Sequence, residues 1–240
     1  MFRAIRQRFG KLIWAVVGSV FALGCGLLFL LVLAPKQKAE ARRLERLPLM
    51  DVQFVSDTSA GAEILISGRL QGERLIQSSD LIAYELDQWE VTQPDSDDGD
   101  DQPQGSWEQV ELVVPDMQLS LAGGQLSIHR RDGVSLSGPL REEWLYASNS
   151  VGAEYEGEWL AEGSRRYLGF YNDDLVTVWG QKASADGVIP DELYAGDRVA
   201  FVQKKHDNAK GMLIAGISML ICSPVVLVGG ALSALFGRRR

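Results

Sequence analysis

Two long apolar stretches, one near each end of the chain, constrain its fold more than any other feature. Leu12–Ala34 has 23 residues without a charged side chain, and Gly211–Gly237 has 27. In an α-helix that rises 1.5 Å per residue, about 20 apolar residues cross the ~30 Å hydrocarbon core of a bilayer. The sequence therefore predicts an integral membrane protein with two transmembrane helices and a soluble domain between them.

The segments around these helices differ in charge, and this difference defines the predicted domains. The order is a basic N-terminal tail (1–11), transmembrane helix 1 (12–34), a charged helical stalk (35–50), a β-rich acidic domain (51–203) with a flexible acidic insert (93–106), a juxtamembrane basic segment (204–210), transmembrane helix 2 (211–237) and a basic C-terminal tail (238–240). The tails hold seven of the 24 basic residues and none of the 32 acids, which leaves a formal charge of −15 between the apolar stretches. Such a charge argues against binding of nucleic acid or anionic lipid through the body of the domain, and no nucleic-acid partner is expected.

The basic tails also predict the orientation of the chain. Two spans place both tails on one side of the membrane, and positively charged short tails favour the cytoplasm. Lysines and arginines also flank the central segment, but long loops cross largely regardless of charge. We therefore expect cytoplasmic termini and an extracytoplasmic domain.

The first apolar stretch is longer than the apolar region of a signal peptide, and Pro35 would directly follow the cleavage site. An uncleaved membrane anchor is therefore the better interpretation.

Between Gly61 and Gln203 the sequence consists of short runs rich in β-branched and aromatic residues, separated by turn residues such as Gly123-Gly124. The predicted strands are Ala62–Leu70, Leu81–Val91, Trp107–Val114, Gln125–Arg130, Gly133–Ser137, Arg166–Tyr171, Leu175–Gly180 and Arg198–Gln203. No soluble helix is predicted beyond the stalk, which ends at residue 50. The fold class is therefore mainly β, a barrel or sandwich, between two transmembrane helices.

Metal sites and cofactors have little support in the sequence. Both cysteines, Cys25 and Cys222, lie in the apolar stretches, so the domain has no disulfide and no cysteine-based zinc site. The acidic insert lacks the glycine and glutamate spacing of a calcium loop, and such dense like charge favours a disordered hairpin tip. Weak binding of a divalent cation is the alternative, and its candidate ligands are Asp95, Asp97, Asp98, Asp100 and Asp101.

Catalytic motifs are equally scarce. His129 lies in an alternating strand pattern, and His206 lies among juxtamembrane lysines. Neither has the neighbours of a general base, and the chain contains no nucleophile elbow, zinc-protease motif or phosphate-binding loop. We therefore predict a protein that is not an enzyme. A carboxylate-dependent envelope enzyme is the weaker alternative, and it would need two converging acids with perturbed pKa values.

Small residues recur every fourth position in both apolar stretches, a spacing that places them on one face of a helix. Small faces let helices approach closely in lipid. The candidate helix-packing residues are Gly18, Ala22, Gly26, Gly229, Ser233 and Gly237. The expected contact is between the two helices of one chain, and homo-oligomerisation is the alternative.

Several short motifs, in order, resemble the domain of GIDE-type membrane proteins, the "beside a membrane" domain. They are Ile66–Leu70 (ISGRL), Ser78–Tyr84 (SSDLIAY), Trp107, Met117–Ile128 (MQLSLAGGQLSI) and Val176–Gln181 (VTVWGQ). The resemblance implies an OB-like β domain held at a membrane by two helices. Eukaryotic members add a RING zinc domain that ligates ubiquitin. This chain departs from that pattern after its second apolar stretch, so the resemblance implies a prokaryotic-like member without ligase activity.

Taken together, these features predict a membrane-anchored β domain that binds a protein partner or envelope component and performs no chemistry. The alternative is an accessory or assembly subunit of a larger integral-membrane complex, with its small-residue faces against partner helices. Aromatic residues are common in binding sites because they combine large apolar area with a polar group. The domain contains five tryptophans, most of which we expect in the core: Trp89, Trp107, Trp144, Trp159 and Trp179.

Overall fold

The computed structural model describes residues 2–93 and 102–236 and contains two compact units. A helical unit is formed by the two ends of the chain, Met1–Arg46 and Val202–Arg240, and a β unit by Leu47–Phe201. The helices are α1 (Phe2–Leu28), α2 (Ala34–Arg46), α3 (Val52–Asp57) and α4 (Arg198–Phe236), with a π-helical turn at Phe29–Leu33. Two helical segments, Val16–Arg46 and Arg198–Gly229, are long and apolar enough to cross a membrane.

The π-helical turn lies where the first apolar stretch meets the charged stalk. Pro35 has no N–H to donate, and its ring would collide with the carbonyl four residues earlier in an ordinary α-helix. The turn before it is wider, and the Ala34 N–H donates to the Phe29 carbonyl, five residues back. The helix therefore continues past the proline and ends at Arg46.

Helix α4 packs antiparallel to α1, and the two helices meet at Ser19 and Ser223 and again at Gly26 and Gly216. Each serine hydroxyl donates to the other residue's carbonyl, at 2.9 Å from Ser19 and 2.8 Å from Ser223. A Cβ at Gly26 would stand 3.0 Å from the Gly216 carbonyl oxygen, so the backbones are close together there. Both contact positions are seven residues apart on their helix, which keeps them on one face.

Replacing both Ser19 and Ser223 with alanine is expected to weaken this helix pair by about 1–2 kcal/mol, because hydrogen bonds between helices in a bilayer contribute on average about 0.6 kcal/mol each. SDS-driven unfolding in mixed micelles would measure the loss, with helix separation followed by energy transfer between dyes on Cys25 and Cys222. The control is Ser218→Ala, since Ser218 is exposed on the same helix. An equal effect of Ser218→Ala would contradict a specific role for the Ser19–Ser223 contact.

Outside residues 94–101, the β unit has twelve strands: β1 (Glu63–Gln71), β2 (Leu81–Thr92), β3 (Gln104–Val113), β4 (Met117–Leu121), β5 (Gly124–Ile128), β6 (Ser135–Ser137), β7 (Arg141–Leu145), β8 (Gly152–Tyr155), β9 (Glu158–Ala161), β10 (Arg165–Tyr171), β11 (Leu175–Lys182) and β12 (Val188–Ala195). Five of them close a barrel in the order β1-β4-β5-β12-β11, and β11 pairs again with β1. Strands β5 and β12 are parallel, and the other barrel pairs are antiparallel. β6 pairs with β12 outside the closed ring.

The remaining strands form a second sheet and a hairpin. The sheet has the order β3-β2-β10-β7 and is antiparallel throughout, and β8 pairs with β9. The barrel core follows from strand alternation: Ile64 and Ile66 on β1 and Val176 and Val178 on β11 are almost completely buried. Phe170 of the second sheet belongs to the same hydrophobic cluster. The barrel and the second sheet therefore share one core.

The prediction of a mainly β chain between two apolar helices is confirmed. The prediction of a strand at Arg198–Gln203 is wrong, because these residues form the first turns of α4. The Asp197 carboxylate accepts a hydrogen bond of 2.8 Å from the Ala200 N–H and caps the helix. A short helix, α3, also interrupts a region predicted without helices, and the Asp51 carboxylate caps it in the same way.

Candidate binding surface

An aromatic cluster lies on one face of the second sheet, covered by the β8–β9 hairpin. Trp89 on β2 and Trp107 on β3 are directly opposite in register, and Trp144 lies on β7 at the other edge of the sheet. Tyr155 from the hairpin packs against all three tryptophans, with ring centroids 5.3, 5.7 and 6.1 Å away. The hairpin is thus held by aromatic contacts rather than by pairing with the second sheet.

The rings pack edge to face or at a tilt, as their quadrupoles favour. Trp89 and Trp107 have centroids 5.1 Å apart, and Trp107 meets Trp144 edge-on at 5.3 Å. Gly105 makes this packing possible, because a Cβ there would overlap the Trp89 ring. The indole nitrogens of Trp89 and Trp107 are buried without a hydrogen-bond partner among the described residues.

The edge of this cluster is unusually exposed. Tyr146 stacks on Trp144 at 5.6 Å with 14° between the ring planes, yet 69% of Tyr146 is open to solvent. Trp159 lies on the outer face of the hairpin against Gly152 and is 62% exposed. Leu145 is 56% exposed. Tryptophan is normally well buried and is enriched in interface hot spots. We use the name aromatic surface for the exposed apolar residues of these two elements, Leu145 and Tyr146 at the end of β7 and Trp159 on the outer face of the hairpin.

Acidic side chains lie on the same two elements as the aromatic surface. On the hairpin, Glu154, Glu156 and Glu158 are all exposed, and Glu142 is exposed on β7. Arg165, opposite Leu145 in register, is the exposed positive charge beside them. The surface therefore combines apolar rings with an excess of negative charge, which favours a positively charged ligand.

A buried ion pair lies on the covered face of the sheet. The Arg166 guanidinium donates to Asp87 at 2.8 Å, lies 3.8 Å from Glu142 and sits over the Trp107 ring at 4.5 Å. The side chains of Arg166 and Asp87 are only 17% and 8% exposed. Arg166 on β10 therefore binds Asp87 on β2 by charge and stacks on Trp107 of β3, which links three strands of the second sheet.

The same region holds the two converging acids that an enzyme would need. Burial raises the pKa of Glu85, the neighbouring Asp87 raises it further, and Arg166 opposes the rise. However, the Asp87 carboxylate is engaged by Arg166, and Trp107 stacks on that arginine. In this arrangement Asp87 is held by Arg166 and is not a free second carboxylate beside Glu85.

The two histidines make local polar contacts in the described part of the chain. His129 contacts the Asp186 carbonyl at 2.6 Å in the turn before β12, and His206 lies 3.6 Å from Glu45. Asp95, Asp97, Asp98, Asp100 and Asp101 lie outside the described residues, so cation binding there stays a prediction. Within 2–93 and 102–236, no three His, Cys, Asp or Glu residues are grouped as metal ligands would be.

Of the predicted helix-packing residues, Gly26 lies at the contact between α1 and α4, and Ala22 is half-buried. Cβ atoms at Gly18 and Gly229 would have no neighbour within 4 Å. Gly237 and the side chain of Ser233 lie outside the described part of the chain. A role of Gly18 and Gly229 in packing against other helices therefore stays a prediction.

The tryptophans were identified from the sequence, but the grouping of Leu145, Tyr146 and Trp159 into the aromatic surface was not predicted. Tyr146 was not singled out, although the spacing Trp144-Leu145-Tyr146 at the end of a strand places both rings on one face. The alternating glutamates of the β8–β9 hairpin were a second available signal.

No protein-family model, curated protein or solved structure matches this chain significantly. The resemblance to GIDE-type proteins thus stays a prediction.

Proposed function

We propose that this protein is an integral membrane protein with two spans and an OB-like β domain that binds a basic segment of a protein partner. The observation that carries the proposal is the exposure of Trp159 on a hairpin rich in exposed glutamates, together with the exposure of Tyr146 at the end of β7. Rigid aromatic rings provide large contact area at low entropic cost, and their faces attract lysine and arginine. The neighbouring carboxylates select for the same positive charge.

The strand order supports the OB-like part of the proposal. Counted along the chain, the five barrel strands are arranged 1-2-3-5-4 and close back on the first strand, with the third and fifth parallel. A five-stranded Greek-key barrel is the architecture of the OB fold. The second sheet is built from insertions between barrel strands, and these insertions, not the barrel, carry the aromatic surface.

Two apolar helices and basic tails support the membrane part. The basic tails favour cytoplasmic termini, with the β domain on the opposite side of the membrane. On this proposal the helices anchor the domain and the aromatic surface recruits the partner, without a chemical step.

Photo-crosslinking in native membranes tests the proposal. A photoreactive residue at Tyr146 or Trp159 in the full chain should capture a protein through a Lys/Arg-rich segment, identified by mass spectrometry. Trp159→Ala should weaken binding of that partner about 30-fold, the effect of losing an interface hot spot of 2 kcal/mol. The control is Leu175→Ala, which removes another exposed apolar side chain, 43% exposed, from the barrel strand β11 and outside the aromatic surface.

The experiment also separates this proposal from the accessory-subunit alternative. The exposed Gly18 favours that alternative because it leaves a small-residue face of α1 open to another helix. If the same photoreactive group at Gly18 captures a stoichiometric membrane protein and Trp159→Ala leaves its binding unchanged, the chain is a subunit held by its helices and the aromatic surface is not the binding site.

A further inference from the structure

A groove of about 330 Å³ opens between α2 and α4 in the helical unit. Its lining includes Ala34 and Lys38 from α2 and His206, Lys210 and Leu213 from α4. Ala34 is 4% exposed and forms part of an apolar floor, whereas Leu213 is 46% exposed. The groove is therefore apolar at its base and basic at its rim.

The groove coincides with the boundary of both apolar stretches. The first stretch ends at Ala34, and the second begins at Gly211. Lys38 and Lys210 thus lie on the polar side of this boundary, and Leu213 lies on the apolar side. Lipid phosphates occupy this level of either leaflet of a bilayer, and basic pockets between membrane helices are known to bind lipid headgroups.

The charge of the surrounding residues favours an anion. Residues 35–46 and 202–210 contain eight lysines and arginines and three acids. Among the described residues, Lys38 makes no ion pair. Lys210 lies 2.9 Å from Asp207, but both side chains are more than half exposed, so solvent screens this pair and Lys210 can still contact a second anion. The other acids are partly engaged as well, Glu45 by His206 and Glu40 by Lys205.

We infer that this groove binds one anionic phospholipid, with the phosphate between Lys38 and Lys210 and an acyl chain along Leu213. The inference rests on the proposed membrane insertion of the two helices. The lipid would fill the space beside Pro35, where the π-helical turn gives way to α2. It would fix the charged stalk and α4 at the membrane surface.

Native mass spectrometry of the full chain in detergent tests the inference, with phosphatidylglycerol as the anionic probe and phosphatidylcholine as the zwitterionic one. Wild-type protein should retain one phosphatidylglycerol. Lys38→Gln/Lys210→Gln should weaken its retention about 25-fold, roughly fivefold for each lysine. Lys36→Gln/Arg42→Gln is the matched control, because it removes two positive charges from α2 at positions that do not line the groove. Lys38→Arg should keep the affinity.

Each outcome bears on the inference. Equal weakening by the two double variants would show attraction to the basic segment as a whole and overturn a site at the groove. Equally tight binding of soluble glycerol phosphate would overturn the role of the apolar floor, and a dimer without retained lipid would assign the groove to a second copy of the chain. Alkaline extraction separates the two proposals: release of the wild-type protein would refute membrane insertion, whereas a protein that stays in the membrane without preferring phosphatidylglycerol would refute only the groove.

Discussion

Replacement of Arg166 with leucine is expected to destabilise the β unit by about 3–5 kcal/mol, because it leaves a buried carboxylate without its counter-ion. Asp87 is 8% exposed and depends on Arg166 at 2.8 Å. The variant also loses the stacking of the guanidinium on Trp107. Unfolding of the full chain in detergent by guanidinium, followed by tryptophan fluorescence, would measure the loss, since five of the six tryptophans lie in the β unit.

The double variant Arg166→Leu/Asp87→Leu separates charge from packing. Removing both charges leaves no buried unpaired ion, so we expect it to recover most of the stability lost in Arg166→Leu. Arg166→Lys should be intermediate, because lysine keeps the charge but cannot stack its head group as a planar guanidinium does. If the double variant is as unstable as Arg166→Leu, packing of the arginine stem, and not the ion pair, holds the sheet.

The stability lost in Arg166→Leu should also depend on pH, because Glu85 titrates beside Arg166. The pKa of Glu85 is raised in the folded protein by burial and by Asp87, and Arg166 is the group that lowers it. Removing Arg166 therefore raises this pKa further above its ordinary value of about 4.3. Between the unfolded and folded pKa values the folded state binds more protons, so stability falls as pH rises. The deficit of Arg166→Leu should be smallest below about pH 4 and largest above the raised pKa of Glu85.

The barrel was partly predictable because its strands alternate strongly. The runs at β1 and β11 read directly as strands, since Ile64, Ile66, Val176 and Val178 follow the two-residue period. Strand β12 was missed because Pro190 within its run argues against a central strand. The structure accommodates Pro190 at a register shift between β11 and β12. Such an irregularity has no signature in a single sequence.

The start of α4 shows a second limit of predicting secondary structure from a single sequence. Val199, Phe201 and the residues after them fit a strand over six positions, but a helix is distinguished only over a longer window. Burial at Phe201, Lys205 and Ala209 recurs every fourth residue, as a helix requires. The capping aspartate Asp197 was the available local signal.

The sequence also could not predict which face of each apolar helix contacts the other helix. Gly18 and Ser19 are both small, and adjacent residues differ by about 100° around a helix axis. Composition therefore offered two neighbouring faces of α1, and the contact with α4 uses the one with Ser19 and Gly26. Likewise, Arg166 and Asp87 are 79 positions apart, and only the strand order brings them together.

Substitution of Gly180 with alanine is expected to open the barrel at the seam between β11 and β12. Gly180 pairs with Ile64 on β1 and with Pro190 on β12, so it lies in the strand that closes the barrel. A Cβ at Gly180 would overlap the Ile189 carbonyl oxygen and come within 2.8 Å of the Pro190 Cα. These are backbone atoms, which cannot rotate away as a side chain does, so the strands must separate. We expect a loss of about 3 kcal/mol, at the upper end for overpacking.

Gly72→Ala is the matched control, because a Cβ at Gly72 would meet Ile82 and Met117 at an ordinary contact distance of 3.4 Å. It should change the stability of the β unit by no more than about 0.5 kcal/mol. The same guanidinium unfolding measures both variants. Trp179 lies beside Gly180, so its fluorescence should also change in folded Gly180→Ala protein. Equal stability of the two variants would mean that the β11–β12 seam yields at little cost, and that the shared core, which includes Phe170, holds the barrel closed instead.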